Sequence, residues 1–242
     1  MSQEEMDQVV ADAQAAGFRV AFHAMGDGAI ETALSAIEYA LNGQSNEFYR
    51  HQIEHNSLAR PDLLLRYDAM DVLASVRGYG SFCDLSFLIP NFGVERIEWY
   101  DNRYELPGLD IHSYIESDFG WGYDPYLRFT FITLDPIVQL YGMVTHRYVN
   151  EDGSICEPDP IVAAHIISIE RALQMLTIEP AYAVSMENYI GSLKPGKYAD
   201  LIILSDNPLT VDLGALKDLS VWMTMVGGKV EYCAAGHESL CP

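Results

Sequence analysis

Arg50-His51-Gln52-Ile53-Glu54-His55 is a short apolar and charged run that closes on a histidine. Phe22-His23-Ala24 upstream and Glu116-Ser117-Asp118 downstream share the design. Each ends a β-branched or aromatic segment with a side chain able to ligate a metal, and each leads into a helix pattern or a long loop. Strand ends that carry ligands and open into loops are the layout of a site at the C-terminal rim of a parallel sheet.

Outward from that stretch, strand and helix readings alternate. Ser2 and Glu5 form a capping-box pair ahead of Met6, Val9, Val10 and Ala13 at helical spacing, and Gly17 ends that helix. Residues 18–23 read as a strand, and Asp27 caps a second amphipathic helix built on Ile30, Ala33, Leu34, Ile37 and Leu41. Residues 48–54 form the next strand, Pro61 opens a helix to about Met70, and residues 72–76 and 111–115 are further strands. Asp135-Pro136 and Asp159-Pro160 each look like a cap followed by proline at the first helical position. The second pair is expected to open a long helix through Val162, Ile166, Ile169, Leu173 and Leu176. Alternation of this kind argues for parallel βα units.

Two regions depart from the alternation. Between Arg77 and Pro107 periodicity fails, and Tyr79, Phe82, Phe87, Phe92, Trp99 and Tyr100 crowd among glycines and prolines. A loop of that length is either a lid or substrate wall, or a small packed subdomain. After residue 189, Ile190-Gly191-Ser192-Leu193-Lys194-Pro195-Gly196-Lys197 is turn chemistry, followed by two β readings at 199–204 and 221–230. It is no phosphate loop, because Tyr198 replaces the required Ser or Thr.

Composition narrows the function. The 242 residues are 49% hydrophobic with 20% charged, which is globular, and the net charge of −21 argues against nucleic acid as a partner. An acidic polar start is no signal peptide, and no apolar run approaches a membrane span, so the expected compartment is the cytoplasm. Cys83, Cys156, Cys233 and Cys241 lack any CxxC spacing and read as reduced thiols, with no disulfide framework.

The segments F-H-A-M-G-D-G-A, R-H-Q-I-E-H, A-S-V-R and E-S-D, and above all I-G-S-L-K-P-G-K-Y-A-D-L-I-I-L-S-D-N-P-L, resemble the C-terminal part of the amidohydrolase superfamily. The branch containing N-substituted formamide deformylases is the most similar. The resemblance runs in consistent order over nearly the whole chain. It implies an α/β fold: strands five to eight of a (β/α)8 TIM-type barrel over residues 1–189, a small C-terminal β-sandwich element over 190–232, and a tail over 233–242. By motif His23, His55 and Asp118 match the metal ligands after the fifth, sixth and eighth strands, and Asp118 matches the residue that moves the proton between water and leaving group. The family's His-x-His pair and its bridging ligand would lie before Ser2.

Weighed without the resemblance, a lone histidine is more often structural than ligating. Read with it, the three residues suit a divalent metal, zinc first, since three protein ligands leave a position for water. His51 is expected to find a partner deeper in the barrel, and Glu54 to point away from His55 and pair with a neighbour, Arg50 being the candidate. His112 and His165 are expected to be structural, the latter within a helix, and His146-Arg147 to be a solvated helix end. The function expected is a metal-dependent hydrolase of amide bonds, or of esters or lactones, acting on a small molecule; the alternative is a non-catalytic remnant or interaction module. Four strands leave two open sheet edges, so a second copy or a complementing chain is expected as partner.

Overall fold

A computed structural model describes residues 1–78, 85–86, 88–100, 109–118, 135–149, 153–163 and 165–241. Helix α1 (Gln3–Ala15) begins at the expected box: Ser2 Oγ accepts from the Glu5 amide at 3.2 Å, and Glu5 Oε2 accepts from the Ser2 amide at 2.7 Å. Strand β1 (Ala21–Ala24), helix α2 (Asp27–Leu41), strand β2 (Gln52–His55), helix α3 (Pro61–Met70) and strand β3 (Leu73–Arg77) follow. Helices α4 (Leu88–Phe92) and α5 (Val94–Ile97) precede strand β4 (Ser113–Glu116). The four strands form one parallel sheet in the order β1-β2-β3-β4, with β1 and β4 as its edges among the described residues. Each of these strands starts later than its apolar run suggests and ends one residue further on, at the rim that carries the site.

One face of this sheet is apolar and covered. Ala24, Ile53 and Ala74 pack against Ile30, Leu34 and Ile37 of α2 and Leu63, Leu64 and Tyr67 of α3, and Ile53, Leu34 and Leu63 are almost wholly buried. Burial of a side chain of that size contributes about 1.5–3 kcal/mol, so these layers dominate the stability of the first half. Val76 and Ile115 continue the face into a second core with Leu140, Tyr141 and Val144 of α6 (Pro136–Thr145) and Ala172 and Met175 of α7 (Ile169–Leu176). Leu216 and Leu219 join the same core. Hence the C-terminal β element is anchored to the helices by shared burial.

That element begins beyond α8 (Ile178–Ala183). Strands β7 (Leu201–Leu204), β8 (Val221–Val226) and β9 (Lys229–Cys233) make a three-stranded antiparallel sheet, while β5 (Tyr148–Val149) and β6 (Ile155–Cys156) form a separate two-stranded ladder. Gly191 fixes the entry turn: its φ is +80°, and a Cβ there would sit 2.7 Å from Ala181 Cβ. No other residue fits without moving α8.

Several expectations are corrected. The helix expected from Asp159 does not form there; the Asp159 carbonyl accepts from Val162 and Ala163 for a single turn, and the helix starts only after Ser168, whose Oγ accepts from the Arg171 amide. Ser168 is the stronger signal because its hydroxyl reaches the third amide of the helix. His165 therefore lies outside any helix, with Nδ1 3.3 Å from the Tyr100 carbonyl. His146 is fully buried rather than solvated: as the αL cap of α6 it turns inward, and Nδ1 meets the Val162 carbonyl at 2.9 Å. Cys233 and Cys241 are joined in a disulfide, and Cys156 is disulfide-bonded too, so the reduced-thiol reading fails. The turn through Gly236 and the 3-10 turn Glu238–Leu240 bring the Cys233 and Cys241 Cα atoms to 6.2 Å, a proximity that their spacing did not advertise. The tail is accordingly tied down, with His237 stacked on Trp222 at 4.2 Å. Disulfides persist in oxidising surroundings, so the cytoplasmic expectation loses the support it drew from the cysteines.

Of the aromatic stretch after Arg77, Tyr79, Phe82 and Phe87 lie outside the described residues. Leu85 and Ile97 are buried with Val162 in a core of their own. Among the described residues no helix is long and apolar enough to cross a membrane.

Candidate metal centre

The register of the sheet places one row of side chains on the face opposite the helices. His23 pairs with Glu54, Ser75 with Tyr114, and Arg77 with Glu116, and paired residues share a face. With Gln52, these residues make that face polar. Glu54 is its hub: Oε1 accepts from Gln52 Nε2 at 2.7 Å and from the Tyr114 hydroxyl at 3.3 Å, while the Ser75 hydroxyl donates to Oε2. Burial, and next the Glu54 charge, raise the Tyr114 pKa, so the phenol stays a donor to that carboxylate. Glu54 does pair with neighbouring strands, but Arg50 is not its partner. Arg50 donates to both carboxylate oxygens of Glu187 at 2.8 and 2.9 Å and lies over the Tyr182 ring at 4.0 Å.

At the carboxyl end of β2 the alternation is broken. Strand geometry would send His55 to the helix side with Ile53. Instead His55 has φ +74° and Asn56 φ +56°, both left-handed, and the imidazole turns to the polar face. Asn56 holds this bend. Its Nδ2 donates to the carbonyls of Ile53 at 2.7 Å and Ser75 at 2.9 Å, its Oδ1 accepts from the buried Tyr67 hydroxyl, and its own amide bonds the Ala24 carbonyl at 3.1 Å. A side chain that satisfies three buried groups at once offsets the cost of two left-handed residues.

So turned, His55 Nδ1 lies 2.8 Å from Glu116 Oε1, and its ring meets that of His23 edge-on with centroids 4.7 Å apart. Glu116 ends β4, and two residues later Asp118, with φ +52°, returns to the same place. One ligand atom each from His55, Glu116 and Asp118 lie within 4.8 Å of one another. Arg77, from the neighbouring strand, reaches both acids: Nη2 is 2.9 Å from Asp118 Oδ2, and Nε is 3.8 Å from Glu116 Oε1. The three expected residues are therefore gathered at one rim, His55 and Asp118 in the tight cluster and His23 beside it. Glu116 and Arg77 were not singled out. The period of two along a strand was the available signal for Glu116, which shares its face with Tyr114 and is quoted beside Asp118.

An imidazole nitrogen with two carboxylate oxygens is a donor set that divalent metals accept, and proton donation from Nδ1 to Glu116 would make Nε2 the ligating nitrogen. The residues present fit the ion that the fold implies.

The other histidines on the sheet are structural. His51 is fully buried; its Nδ1 accepts from the Val20 amide at 3.0 Å and its Nε2 lies 3.0 Å from Gln14 Oε1. Burial, with the Arg19 charge second, pushes its pKa down to about 4, which keeps it neutral. His112 pairs with Glu179 at 2.8 Å and stacks on Tyr182 at 4.1 Å.

The model of the amidohydrolase family matches residues 1–232. The chain is 27% identical over 237 residues to the N-substituted formamide deformylase of Arthrobacter pascens, a match that covers 97% of this chain and 40% of that protein. It is 28% identical to protein LONG AFTER FAR-RED 3 of Arabidopsis thaliana, over 96% of this chain and 37% of the other. In structure it is similar to a metal-dependent hydrolase from Pyrococcus horikoshii (TM-score 0.67, 26% identity, 88% of this chain, 39% of that one). A metal-dependent hydrolase from Pyrococcus furiosus is alike to a similar degree (TM-score 0.65, 29% identity, 87% and 38%). The chain spans about two fifths of the length of these relatives. With the family's model matched from the first helix through β9, the chain belongs to the amidohydrolase family.

Proposed function

We propose that this chain supplies strands five to eight and the matching half of the metal centre of a hydrolase that cleaves carbon–nitrogen bonds in amides. The observation that carries the reading is the convergence of His55, Glu116 and Asp118 within 4.8 Å at the carboxyl ends of parallel strands. His23, His55 and Asp118 would hold a divalent ion, zinc by preference, and Glu116 would orient the His55 ring through Nδ1 and offer the ion a further carboxylate oxygen. Such an ion acidifies water and polarises a carbonyl. Asp118 is the general base of the reading: a carboxylate oxygen takes the proton of the attacking water and returns it to the departing nitrogen. Arg77 reaches the same carboxylate from the neighbouring strand, its Nη2 2.9 Å from Asp118 Oδ2.

As partner the reading takes a second copy, or a chain carrying the other strands, and the edge positions of β1 and β4 among the described residues support it. A net charge of −21 leaves small molecules, not nucleic acids, as substrates. The test is to purify the full chain without added metal, measure bound metals by mass spectrometry, and assay a panel of amides and esters with Zn2+ or Mn2+ restored. Near-stoichiometric metal and amide hydrolysis that His55→Ala abolishes are expected. Activity unchanged in His55→Ala overturns the proposal.

The Arg77–Asp118 ion pair favours a second reading, a non-catalytic interaction module in which an internal cation has taken the metal's place. Less than about a tenth of an equivalent of metal per chain, with no hydrolysis, would select it, since catalytic zinc sites retain their ion.

A further inference from the structure

We infer that Arg77 is a built-in competitor for the divalent ion: its guanidinium and the metal contend for the Asp118 and Glu116 carboxylates, so the centre alternates between an arginine-closed and a metal-bound form. The inference rests on reading His55, Glu116 and Asp118 as a metal centre, and concerns what regulates its occupancy.

The geometry is that of one cation bridging two acids. Arg77 lies opposite Glu116 in the β3–β4 register, its Nη2 is 2.9 Å from Asp118 Oδ2, and its Nε is 3.8 Å from Glu116 Oε1. The three side chains are 21%, 16% and 17% exposed for Arg77, Glu116 and Asp118, so the charges are partly withdrawn from water but reachable from it. Attraction at such a site exceeds that of a fully solvated pair. A guanidinium cannot make way by losing its proton, as a lysine or histidine can. An incoming ion must therefore swing the arginine aside or share the two carboxylates with it against like-charge repulsion. With Arg77 the two acids and the guanidinium sum to −1; with a neutral side chain in its place the same acids carry −2.

The opposite view makes Arg77 a brace that holds Asp118 ready for the metal. The two views differ in sign. A brace that is removed loosens the ligand and weakens metal binding, whereas a competitor that is removed strengthens it.

The experiment titrates Zn2+ and Mn2+ into the full chain against a chromophoric chelator, for the natural protein, Arg77→Met and Arg77→Lys. Methionine keeps much of the stem without the charge, and lysine keeps the charge without the bridging fork. Arg77→Met is expected to bind about tenfold more tightly or better, the size expected for losing a partly buried competing charge, with Arg77→Lys between. Weaker or equal binding by Arg77→Met overturns the inference, provided its circular dichroism matches the natural chain. A measurement on the natural protein stands should that variant fail to fold: phenylglyoxal modification of Arg77, followed by peptide mapping, is expected to quicken several-fold on saturation with Zn2+, and an unchanged or slower rate overturns the inference. If neither protein binds metal, the metal-centre reading falls with it; if both bind equally, only the competition falls.

Discussion

At the carboxyl ends of the parallel strands His55 meets Glu116 at 2.8 Å with Arg77 alongside, and at their amino ends His112 meets Glu179, also at 2.8 Å, with Arg171 bonded to the same acid at 2.7 Å. The chemical types are the same and the balance is reversed. At the amino end one carboxylate faces two potential cations, and Tyr182 is stacked by His112 at 4.1 Å and by Arg50 at 4.0 Å, so every charge is answered within the fold. At the carboxyl end Asp118 adds a second acid, and the negative charge exceeds what Arg77 neutralises. A histidine–carboxylate–arginine group is a clamp where cations match or exceed acids and a receptor for a cation where acids are in excess.

This contrast can be broken in either direction. The largest effect is expected from Asp118→Asn, which keeps the shape but removes the proposed base: the hydrolysis proposed above should fall by about a hundredfold or more while thermal stability holds or rises. Steady-state kinetics beside a calorimetric melt check it, and a melt that collapses with activity intact would erase the distinction. At the other end Glu179→Ala should cost about 3 kcal/mol of unfolding free energy, because it leaves Arg171 and His112 without their carboxylate, yet leave metal affinity unchanged. Urea unfolding and a chelator titration read the two quantities separately.

Asn56→Ala is expected to cost about 2 kcal/mol, since the Tyr67 hydroxyl and two backbone carbonyls lose their partner, and it should also weaken metal binding by releasing the His55 bend. Stability lost with metal affinity intact would show that His55 keeps its position unaided. The smallest effect is the response to pH. Hydrogen bonding to Glu179 raises the His112 pKa against the opposing pull of burial. Its contribution is therefore complete below the unfolded value near ~6.5 and is lost as pH rises through the higher folded value. Burial acts most strongly on Glu179 and would raise its pKa, but hydrogen bonds from His112 and Arg171 leave it lowered overall. That contribution is complete above the unfolded value near ~4.3 and is lost as pH falls through the lower folded value. The clamp is then strongest between about pH 4.5 and 6.5, and the urea midpoint should decline on the alkaline side in the natural chain but not in Glu179→Gln.

What could be read from the sequence was whatever depends on local pattern. Period-two and three-to-four spacings located all four strands of the parallel sheet, and Pro61 and Asp135-Pro136 marked two helix starts at the residue. His23, His55 and Asp118 came together as a set only through the resemblance, whose motifs occur in order, and the fold brings them to one rim. What escaped depended on distant parts of the chain. Arg50 finds Glu187 across 137 positions, and no local rule prefers that acid to Glu54 four residues away. Arg77 read as the first residue of the aperiodic stretch, and only the register shows it ending β3 opposite Glu116. His55 faces the site only because Asn56, buried beneath Tyr67, imposes a left-handed bend, and the alternation rule taken alone assigns it to the wrong face.

The Glu54, Ser75 and Tyr114 bonds have a consequence for assembly. They link three successive strands on the face turned away from the helices, while Ile53, Val76 and Ile115 fill the other. A slip of one residue in any pairing would thrust an aliphatic side chain among these hydroxyls and acids and press a charge into the helix layer. The four strands thus proofread their own alignment.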